Sequence, residues 1–276
     1  MGRFDGCLLA CDIDGTLQES GYINPKNIEK IDYFVKEGGK FCLCTGRSIG
    51  AINCILRELN SVSYSVCANG CTIFNHAENK LEKQMTLNKK DYYVVREVFD
   101  RFSDFGIEIH AGREVLTVRK TFETSIHQEY EELPTNCVDF NTACEYNWNK
   151  VNFMLKSEEE YGEIIAFLNR FDVDANFVKT SAVIDSVKYN YYEMLPLGIS
   201  KMSSLATLCN MLGVEKGKFF AIGDYYNDFE MIKNADIGAA VADAPEEIKQ
   251  SADFVTCKCK DGAVADFIDY LIKVFK

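Results

Sequence analysis

Apolar runs alternate with helix-like stripes over the first 80 or so residues of the chain. The pattern predicts a buried strand over residues 4–11 and then a helix that opens at Asn24-Pro25, because asparagine caps a helix and proline suits its first position. Further strands are predicted over 40–45 and 64–68, with a second helix between them. Strands and helices that alternate at this spacing indicate a parallel sheet with crossover helices.

The pattern changes after about residue 82. Helical periodicity near 89–104 and 157–170 is interspersed there with runs of two-residue alternation, Glu114–Val118 and Val151–Leu155. Because side chains alternate across a strand, these two runs predict strands with one face in the core and the other in solvent. The middle third of the chain is therefore expected to be a separate α+β unit.

The first pattern returns from about Gly198. A leucine-striped helix precedes the apolar strand Lys218–Ile222, short strands are predicted at 237–241 and 254–256, and a helix over 262–274 closes the chain. We therefore predict an α/β fold, a Rossmann-like parallel-sheet core with an inserted α+β cap domain. The expected bounds are 1–83 for the first part of the core, 84–189 for the inserted domain and 190–276 for the second part of the core.

Composition and charge narrow the class of protein. The 276 residues are 47% hydrophobic and 26% charged, with a formal net charge of −12 and a pI near 4.8. Such a charge repels nucleic acid and anionic membranes, so neither is an expected partner. No apolar run is long enough to span a membrane, and Asp12 interrupts the short N-terminal hydrophobic stretch, so we expect a cytoplasmic protein.

The cysteines and histidines indicate no metal or disulfide framework. The 12 cysteines lie mostly inside apolar runs, contain no Cys-x-x-Cys pair and are expected to be buried, reduced thiols. The three histidines are scattered without metal-ligand spacing, so structural or solvated roles are expected for His76, His110 and His127.

The most informative segment is Asp12-Ile13-Asp14-Gly15-Thr16, which follows the first apolar strand. If the strand continued through them, Asp12 and Asp14 would project the same way, and Gly15 lets the backbone turn directly afterwards. A carboxylate pair at a strand end can hold Mg²⁺ while one member attacks an electrophile and the other transfers protons. Taken alone, the segment is equally typical of an Asp-Gly turn with solvated aspartates.

Other polar residues also follow apolar runs. In an open parallel sheet, ligands bind beyond the carboxyl ends of the strands, so these residues are expected at one edge. They are Thr45-Gly46-Arg47, Asn69-Gly70 and the segment from Asp224 to Asp228. Individually, Thr45 could be a helix cap and Asp224–Asp228 an acidic helix start.

Four motifs occur in order along the chain: Asp12-x-Asp14-Gly15-Thr16, Thr45-Gly46-Arg47, Gly198-Ile199-Ser200-Lys201 and Gly223-Asp224-x-x-Asn227-Asp228-x-x-Met231. This ordered set resembles the haloacid dehalogenase superfamily and, within it, the Cof-type phosphatases. The resemblance covers nearly the whole chain, because that subfamily carries its large α/β cap where this chain has its inserted domain.

The resemblance implies a Mg²⁺-dependent phosphatase that acts on a small phosphorylated metabolite, with sugar phosphates as the expected class. Asp12 would be the nucleophile that forms an aspartyl-phosphate, and Asp14 the acid and then the base. Lys201 would neutralise charge shared by Asp12 and the phosphate.

The resemblance also implies how phosphate and metal are held. Thr45 and Gly46 would bind the phosphoryl oxygens, together with the backbone N–H groups of residues Ile13 to Gly15. The implied Mg²⁺ ligands are Asp12, the backbone carbonyl of Asp14, Asp224 and Asp228, with Asn227 and Arg47 in support.

Two alternatives stay open at this point: a phosphohexomutase resembling the phosphomannomutases, and a non-catalytic phosphosugar-binding protein. Asp243 departs from the family pattern, because family members often have asparagine there and a carboxylate beside a phosphate is unfavourable. Cap cations are candidates for substrate specificity, namely Arg113, Arg119, Lys150, Lys179 and Lys188. The oligomeric state is not indicated.

Overall fold

The computed structural model describes residues 2–184 and 187–275, without the side chains of Ser181, Ala182, Val183 and Lys188. The chain divides into two compact units. The core unit consists of the residues up to Gly46, Ile55–Lys83 and the residues from Ser200 onward. The cap unit consists of Arg47–Cys54 and Gln84–Ile199. Its longer segment starts at residue 84, like the predicted inserted domain, but continues past residue 189. The short segment Arg47–Cys54 was not predicted to belong to it.

The elements follow one another in this order. Before residue 85 they are β1 (Leu8–Cys11), β2 (Gln18–Glu19), β3 (Tyr22–Ile23), α1 (Pro25–Lys36), β4 (Lys40–Cys44), α2 (Asn53–Glu58), β5 (Val62–Cys67), β6 (Thr72–Asn75) and β7 (Lys80–Gln84). The middle elements are α3 (Tyr92–Arg101), β8 (Gly106–Ala111), β9 (Glu114–Arg119), α4 (Phe122–Tyr130), α5 (Phe140–Cys144), β10 (Lys150–Leu155), α6 (Glu158–Leu168), β11 (Ala175–Ile184) and β12 (Val187–Pro196). The last elements are α7 (Lys201–Leu212), β13 (Phe219–Gly223), α8 (Phe229–Asn234), β14 (Ile237–Ala240), α9 (Glu246–Ser251), β15 (Phe254–Val255) and α10 (Cys259–Val274).

The sheet of the core unit has the strand order β15-β14-β13-β1-β4-β5-β6-β7. From β15 to β5 all neighbours are parallel, and β6 pairs antiparallel with β5. Strand β1 lies between β13 and β4, and all four of its residues are buried, as expected for a central strand of a parallel sheet. The predicted parallel α/β core is confirmed.

Helix ends in the core unit follow from local sequence. Asn24 caps α1 by accepting a hydrogen bond from the Lys26 backbone N–H, and Pro25 takes the first position. Ser200 and Ser203 form a reciprocal capping box at the start of α7. This box fixes the first turn of the helix that carries Lys201.

The sheet of the cap unit has the order β11-β12-β10-β8-β9 and its paired strands run antiparallel. One face packs on an apolar core that includes Ile109, Val151 and Phe153. Trp148 and Tyr92 stack in the same core with ring centroids 3.6 Å apart.

The opposite face of strands β8, β9 and β10 is also buried, so the prediction of a solvent-facing side for β9 and β10 is wrong. All six residues of β10 are buried, including Lys150 and Asn152. Helix α4 explains the difference, because its Gln128 hydrogen-bonds to side chains of β8 and β9. The sequence did not predict α4, since its buried residues are mostly polar and form no apolar stripe.

Other elements differ from the predictions in their bounds. The first strand starts at Leu8 rather than residue 4. The helix predicted between the strands at 40–45 and 64–68 is split into a 3₁₀ turn, Gly50–Ile52, followed by α2. The short elements β6, β7, α5, α8 and α9 were not predicted, because each is too short for a clear period. Every cysteine is a free thiol.

Candidate active site

Parallel pairing brings the ends of three neighbouring strands to one edge of the core sheet. Asp12 directly follows β1, and its backbone N–H donates to Ile222 at the end of β13. Thr45 follows β4 and donates its backbone N–H to Val66 of β5. The motif residues therefore meet because the strands that precede them are adjacent in the sheet.

Lys201 links two of the predicted site carboxylates. Its Nζ lies 2.6 Å from Asp12 Oδ1 and 2.6 Å from Asp228 Oδ1, and all three side chains are buried. Burial by itself disfavours the ammonium, but the attraction of Asp12 and Asp228 outweighs it and raises the pKa of Lys201 well above its usual range. Lys201 is therefore a permanent positive charge in this site.

Asp12, Asp224 and Asp228 form an acidic group whose ligand oxygens lie within 4.8 Å of one another. Burial and the negative charge of Asp228 raise the pKa of Asp12 well above its usual range, against the opposing effect of Lys201. The same two causes raise the pKa of Asp224 to about 7. Three carboxylates thus face one lysine, and the site lacks positive charge.

Asp228 is held by the backbone of its own loop. Its Oδ2 accepts hydrogen bonds from the N–H groups of Asp224 and Tyr225, both at 3.2 Å. A Cβ on Gly223 would lie 2.5 Å from the Cβ of Asp228. Only glycine at position 223 permits this close approach.

Thr16 and Gly15, which follow strand β1, hold the side chain of Asp224, which follows strand β13. Thr16 Oγ1 donates to Asp224 Oδ1 at 3.2 Å. Gly15 has a φ of +83°, and a Cβ there would lie 2.4 Å from Asp224 Oδ2, so any side chain would displace that carboxylate. No separate role is predicted for Thr16 from the sequence, although its place directly after Gly15 in the motif is a usable signal.

Asp14 lies apart from the acidic group. Strand β1 ends before Asp12, so the expected alternation of Asp12 and Asp14 along one strand does not apply. Asp14 is exposed, and its Oδ1 accepts a hydrogen bond from Gln18 Nε2 at 3.2 Å. An exposed carboxylate held by a neutral amide is placed to exchange protons with solvent. No sequence signal had singled out Gln18.

The remaining predicted residues fall in different places. Thr45 is buried, and a Cβ on Gly46 would lie 3.2 Å from the side-chain oxygen of Asn69, so Asn69 packs closely against this turn. Asn227 is exposed in the 3₁₀ turn Tyr226–Asp228. Arg47 belongs to the cap unit, where its guanidinium lies 5.1 Å from the ring centroid of Tyr130.

Asp243 forms an ion pair with Lys258 at 3.0 Å, and both side chains are 52% exposed. The ion pair with Lys258 explains how a carboxylate is tolerated at position 243, where family members often have asparagine. Surface pairs of this kind contribute little to stability.

The candidate specificity cations of the cap unit have different environments. Arg119 donates to the backbone carbonyls of Phe99 and Phe102, which indicates a structural role. Lys150 is buried beside Glu193, Lys179 pairs with Glu158, and Arg113 is exposed. The side chain of Lys188 lies outside the described part of the chain.

The acidic group fits a divalent metal ion. Carboxylate oxygens are the ligands that Mg²⁺ prefers, and a dication would balance the excess negative charge that raises the pKa values of Asp12 and Asp224. Lys201 already supplies one positive charge, so the group requires about two more for neutrality. The donor set and its charge both match a bound Mg²⁺.

In the part of the chain that the structure describes, no helix is long and apolar enough to cross a bilayer.

The chain is similar to known proteins over most of its length. The family model of the haloacid dehalogenase-like hydrolases matches residues 9–268. The 5-amino-6-(5-phospho-D-ribitylamino)uracil phosphatase YcsE of Bacillus subtilis (strain 168) is 26% identical over 266 residues, which cover 96% of this chain and 95% of that protein.

Two solved structures have the same fold. A haloacid dehalogenase-like hydrolase from Bacteroides thetaiotaomicron superposes with a TM-score of 0.85 at 24% identity, covering 96% of this chain and 99% of that one. The sugar phosphatase BT4131, described as subclass IIB of the superfamily, gives a TM-score of 0.80 at 18% identity, with 97% and 100% of the two chains covered. The motifs, the fold and the family match agree, and the chain belongs to the haloacid dehalogenase-like hydrolases, as its sequence predicted.

Proposed function

We propose that this protein is a Mg²⁺-dependent phosphatase that hydrolyses small phosphate monoesters, with sugar phosphates as its substrate class. One observation carries the proposal: the buried carboxylate of Asp12 is held 2.6 Å from the ammonium of Lys201, inside a group of three carboxylates. The relatives named as phosphatases support the reaction type. A cytoplasmic location belongs to the same proposal, since the substrate would be a soluble metabolite.

In the first step, a carboxylate oxygen of Asp12 attacks phosphorus and the bond from phosphorus to the leaving oxygen breaks. Asp14, in its protonated form, gives its proton to that oxygen, so the leaving group departs as an alcohol. The product on the enzyme is an acyl phosphate on Asp12. Lys201 stays charged and offsets negative charge that develops between Asp12 and the phosphoryl group.

In the second step, Asp14 is a carboxylate and accepts a proton from water while the water oxygen attacks phosphorus. The bond between phosphorus and Asp12 breaks, and inorganic phosphate leaves. Asp12, Asp224, Asp228 and the backbone carbonyl of Asp14 would hold Mg²⁺, which when bound supplies positive charge toward the phosphoryl oxygens.

The direct test measures phosphate release from a panel of phosphorylated metabolites, with Mg²⁺ and with chelator. We expect activity only with Mg²⁺, and a loss of at least about 10⁴-fold in Asp12→Asn, because the amide is not a nucleophile. Asp243→Asn is the matched control, since it removes one exposed carboxylate and should leave the rate unchanged.

Two results would contradict this proposal. Full activity in chelator or in Asp12→Asn would exclude the mechanism. Conversion of a hexose 1-phosphate into its 6-phosphate isomer, in place of free phosphate, would identify a phosphohexomutase.

Asp14→Asn tests the proton transfers that we assign to Asp14 in both steps. An aryl phosphate releases a stable phenolate without protonation, but a sugar alkoxide leaves slowly without an acid. We therefore expect a burst of phenol in rapid mixing, followed by slow turnover, and no burst with sugar phosphates. The difference between the two esters should be about 10²- to 10⁴-fold. Equal slowing of both esters in the first step would assign Asp14 to positioning instead.

A further inference from the structure

The segment that follows the first motif folds back on itself as a short hairpin. Strands β2 and β3 pair antiparallel, with Gln18 opposite Ile23. Ser20 and Gly21, which join the two strands, have φ values of +51° and +79°. Positive φ at both positions is typical of the tight two-residue turn whose twist matches that of the paired strands. Gln18 therefore lies in an element with a defined backbone geometry.

The backbone of Gln18 is bonded to the loop that carries Asp14. The N–H of Gln18 donates to the carbonyl of Ile13 at 2.9 Å, and the carbonyl of Gln18 accepts from the N–H of Gly15 at 2.9 Å. Ile13 and Gly15 are the two chain neighbours of Asp14. These hydrogen bonds therefore fix the position of the Gln18 backbone relative to Asp14.

The hairpin is also anchored to two helices of the core unit. Leu17, directly before Gln18, is fully buried, and its carbonyl accepts from Asn27 Nδ2 of α1 at 3.3 Å. Asn27 Oδ1 in turn accepts from the backbone N–H of Ala265 in α10 at 2.9 Å. Gln18 therefore cannot shift without breaking contacts inside the core unit.

The side chains of Gln18 and Asp14 meet at the surface of this hairpin. Gln18 is only 4% exposed, whereas Asp14 is exposed. Gln18 Nε2 donates to Asp14 Oδ1 at 3.2 Å. An exposed aspartate can adopt several staggered rotamers. A hydrogen bond from a buried donor with a fixed backbone favours the rotamer in which the Asp14 carboxylate faces Gln18.

Orientation is important for the role proposed for Asp14. A general acid or base must lie within hydrogen-bond reach of the atom with which it exchanges a proton, and a displacement of about 1 Å can cost about 100-fold in rate. Asp12 is held by burial and by its contact with Lys201. Asp14 is exposed, so its orientation depends on hydrogen bonds rather than on packing.

An amide suits this task because it both donates and accepts hydrogen bonds. Nε2 of Gln18 donates to the carboxylate of Asp14, and Oε1 can accept from the carboxylic acid after the amide rotates about its last bond. The same side chain can therefore contact Asp14 in both of the forms that the two reaction steps require. An apolar side chain at position 18 could contact neither.

We propose that Gln18 is a positioning residue that holds the side chain of Asp14 in the orientation for proton transfer. The proposal rests on the proposed phosphatase reaction and adds to it a residue outside the four sequence motifs. Gln18 acts through Asp14 and takes no part in the bonds that form or break.

The test compares Gln18→Met with the wild-type protein in rapid-mixing experiments that resolve the first turnover. Methionine keeps the length and the unbranched shape of glutamine but cannot donate a hydrogen bond. With a sugar phosphate, we expect the first turnover to slow by about tenfold or more. With an aryl phosphate, whose leaving group requires no acid, the phenol burst should keep its wild-type rate. Gln18→Leu repeats the measurement with a different apolar shape.

Three controls define the effect. Glu19→Gln changes the other residue of β2, which is exposed, and should leave both rates unchanged. Adding Gln18→Met to Asp14→Asn should slow the sugar ester no further, because no acid remains to be oriented. The Mg²⁺ concentration that gives half-maximal activity should be the same in Gln18→Met and the wild type. A higher value in Gln18→Met would assign Gln18 to the metal site instead.

The outcomes separate this inference from the proposed function. If Asp14→Asn distinguishes the two esters and Gln18→Met does not, only the role of Gln18 is wrong. If Asp14→Asn does not distinguish them, the proposed role of Asp14 is wrong and the role of Gln18 is wrong with it. Equal slowing of both esters in Gln18→Met would show that Gln18 only stabilises the hairpin.

Discussion

The core unit and the cap unit each bury a group of charged side chains, but the charges are paired differently. In the core unit, Lys201 faces three aspartates, so the site keeps an excess of negative charge. In the cap unit, His127 lies beside Glu108 and Glu131, and Lys150 lies beside Glu193, so each of these acids has a base next to it.

The difference shows how burial separates a site that requires a cation from one that does not. Buried charges are tolerated when they are paired, and an unpaired excess must be balanced by protonation or by an ion from outside. The raised pKa values of Asp12 and Asp224 are the sign of that excess in the core unit. In the cap unit the pKa of Glu131 falls to about 2, because the attraction of His127 outweighs burial.

The largest expected effect comes from removing a buried lysine in each unit. Lys201→Met and Lys150→Met should each destabilise the protein by about 3–5 kcal/mol, because each leaves buried carboxylates without their cation. Mg²⁺ should restore part of the lost stability of Lys201→Met but should not stabilise Lys150→Met. Urea denaturation with and without Mg²⁺ measures both effects, and equal rescue of the two variants would remove the distinction between the two sites.

A smaller effect is expected from Mg²⁺ on the wild-type protein. At a concentration about 100 times its Kd, Mg²⁺ should stabilise the folded state by about 2.7 kcal/mol. Asp224→Asn should lose most of this stabilisation, whereas Glu193→Gln, which changes a buried carboxylate of the cap unit, should keep it. Calorimetry of the three proteins with and without Mg²⁺ measures this stabilisation. If Asp224→Asn retains it, the metal binds elsewhere.

The smallest expected effect concerns the charge of His127. Its folded pKa of about 10 exceeds the ordinary value of 6.5, so its ion pairs stabilise fully below about pH 6.5 and are lost as the pH rises through 10. A ¹⁵N-histidine pH titration should show His127 charged at pH 8. Glu131→Gln should lower its pKa by about one unit or more, and Glu129→Gln, exposed on the same helix, should not. A neutral His127 at pH 8 would contradict its ion pairs with Glu108 and Glu131.

Much of the core unit could be predicted from sequence because its strands are fully apolar and end at polar motifs. Strands β1, β4 and β13 were each predicted this way, and the residues after them form the site edge. The cap unit was harder, because a strand that alternates apolar and polar residues looks the same whether its polar face meets water or a polar helix. Asn152 and Lys150 followed the pattern of a wet face, yet both are buried.

The sequence by itself determined the family, the parallel α/β core and the order of the motifs, since these depend on local periodicity and on residue types at strand ends. Only the tertiary structure decided which groups pair. The contact of Lys201 with Asp12 joins residues 189 positions apart, and Thr16 reaches Asp224 across 208. Burial of the polar cap face was likewise decided by the docking of α4, whose polar side chains find partners only on the assembled sheet. Local pattern specifies each segment, but charge balance and pKa depend on distances between segments, which exist only once the chain has folded.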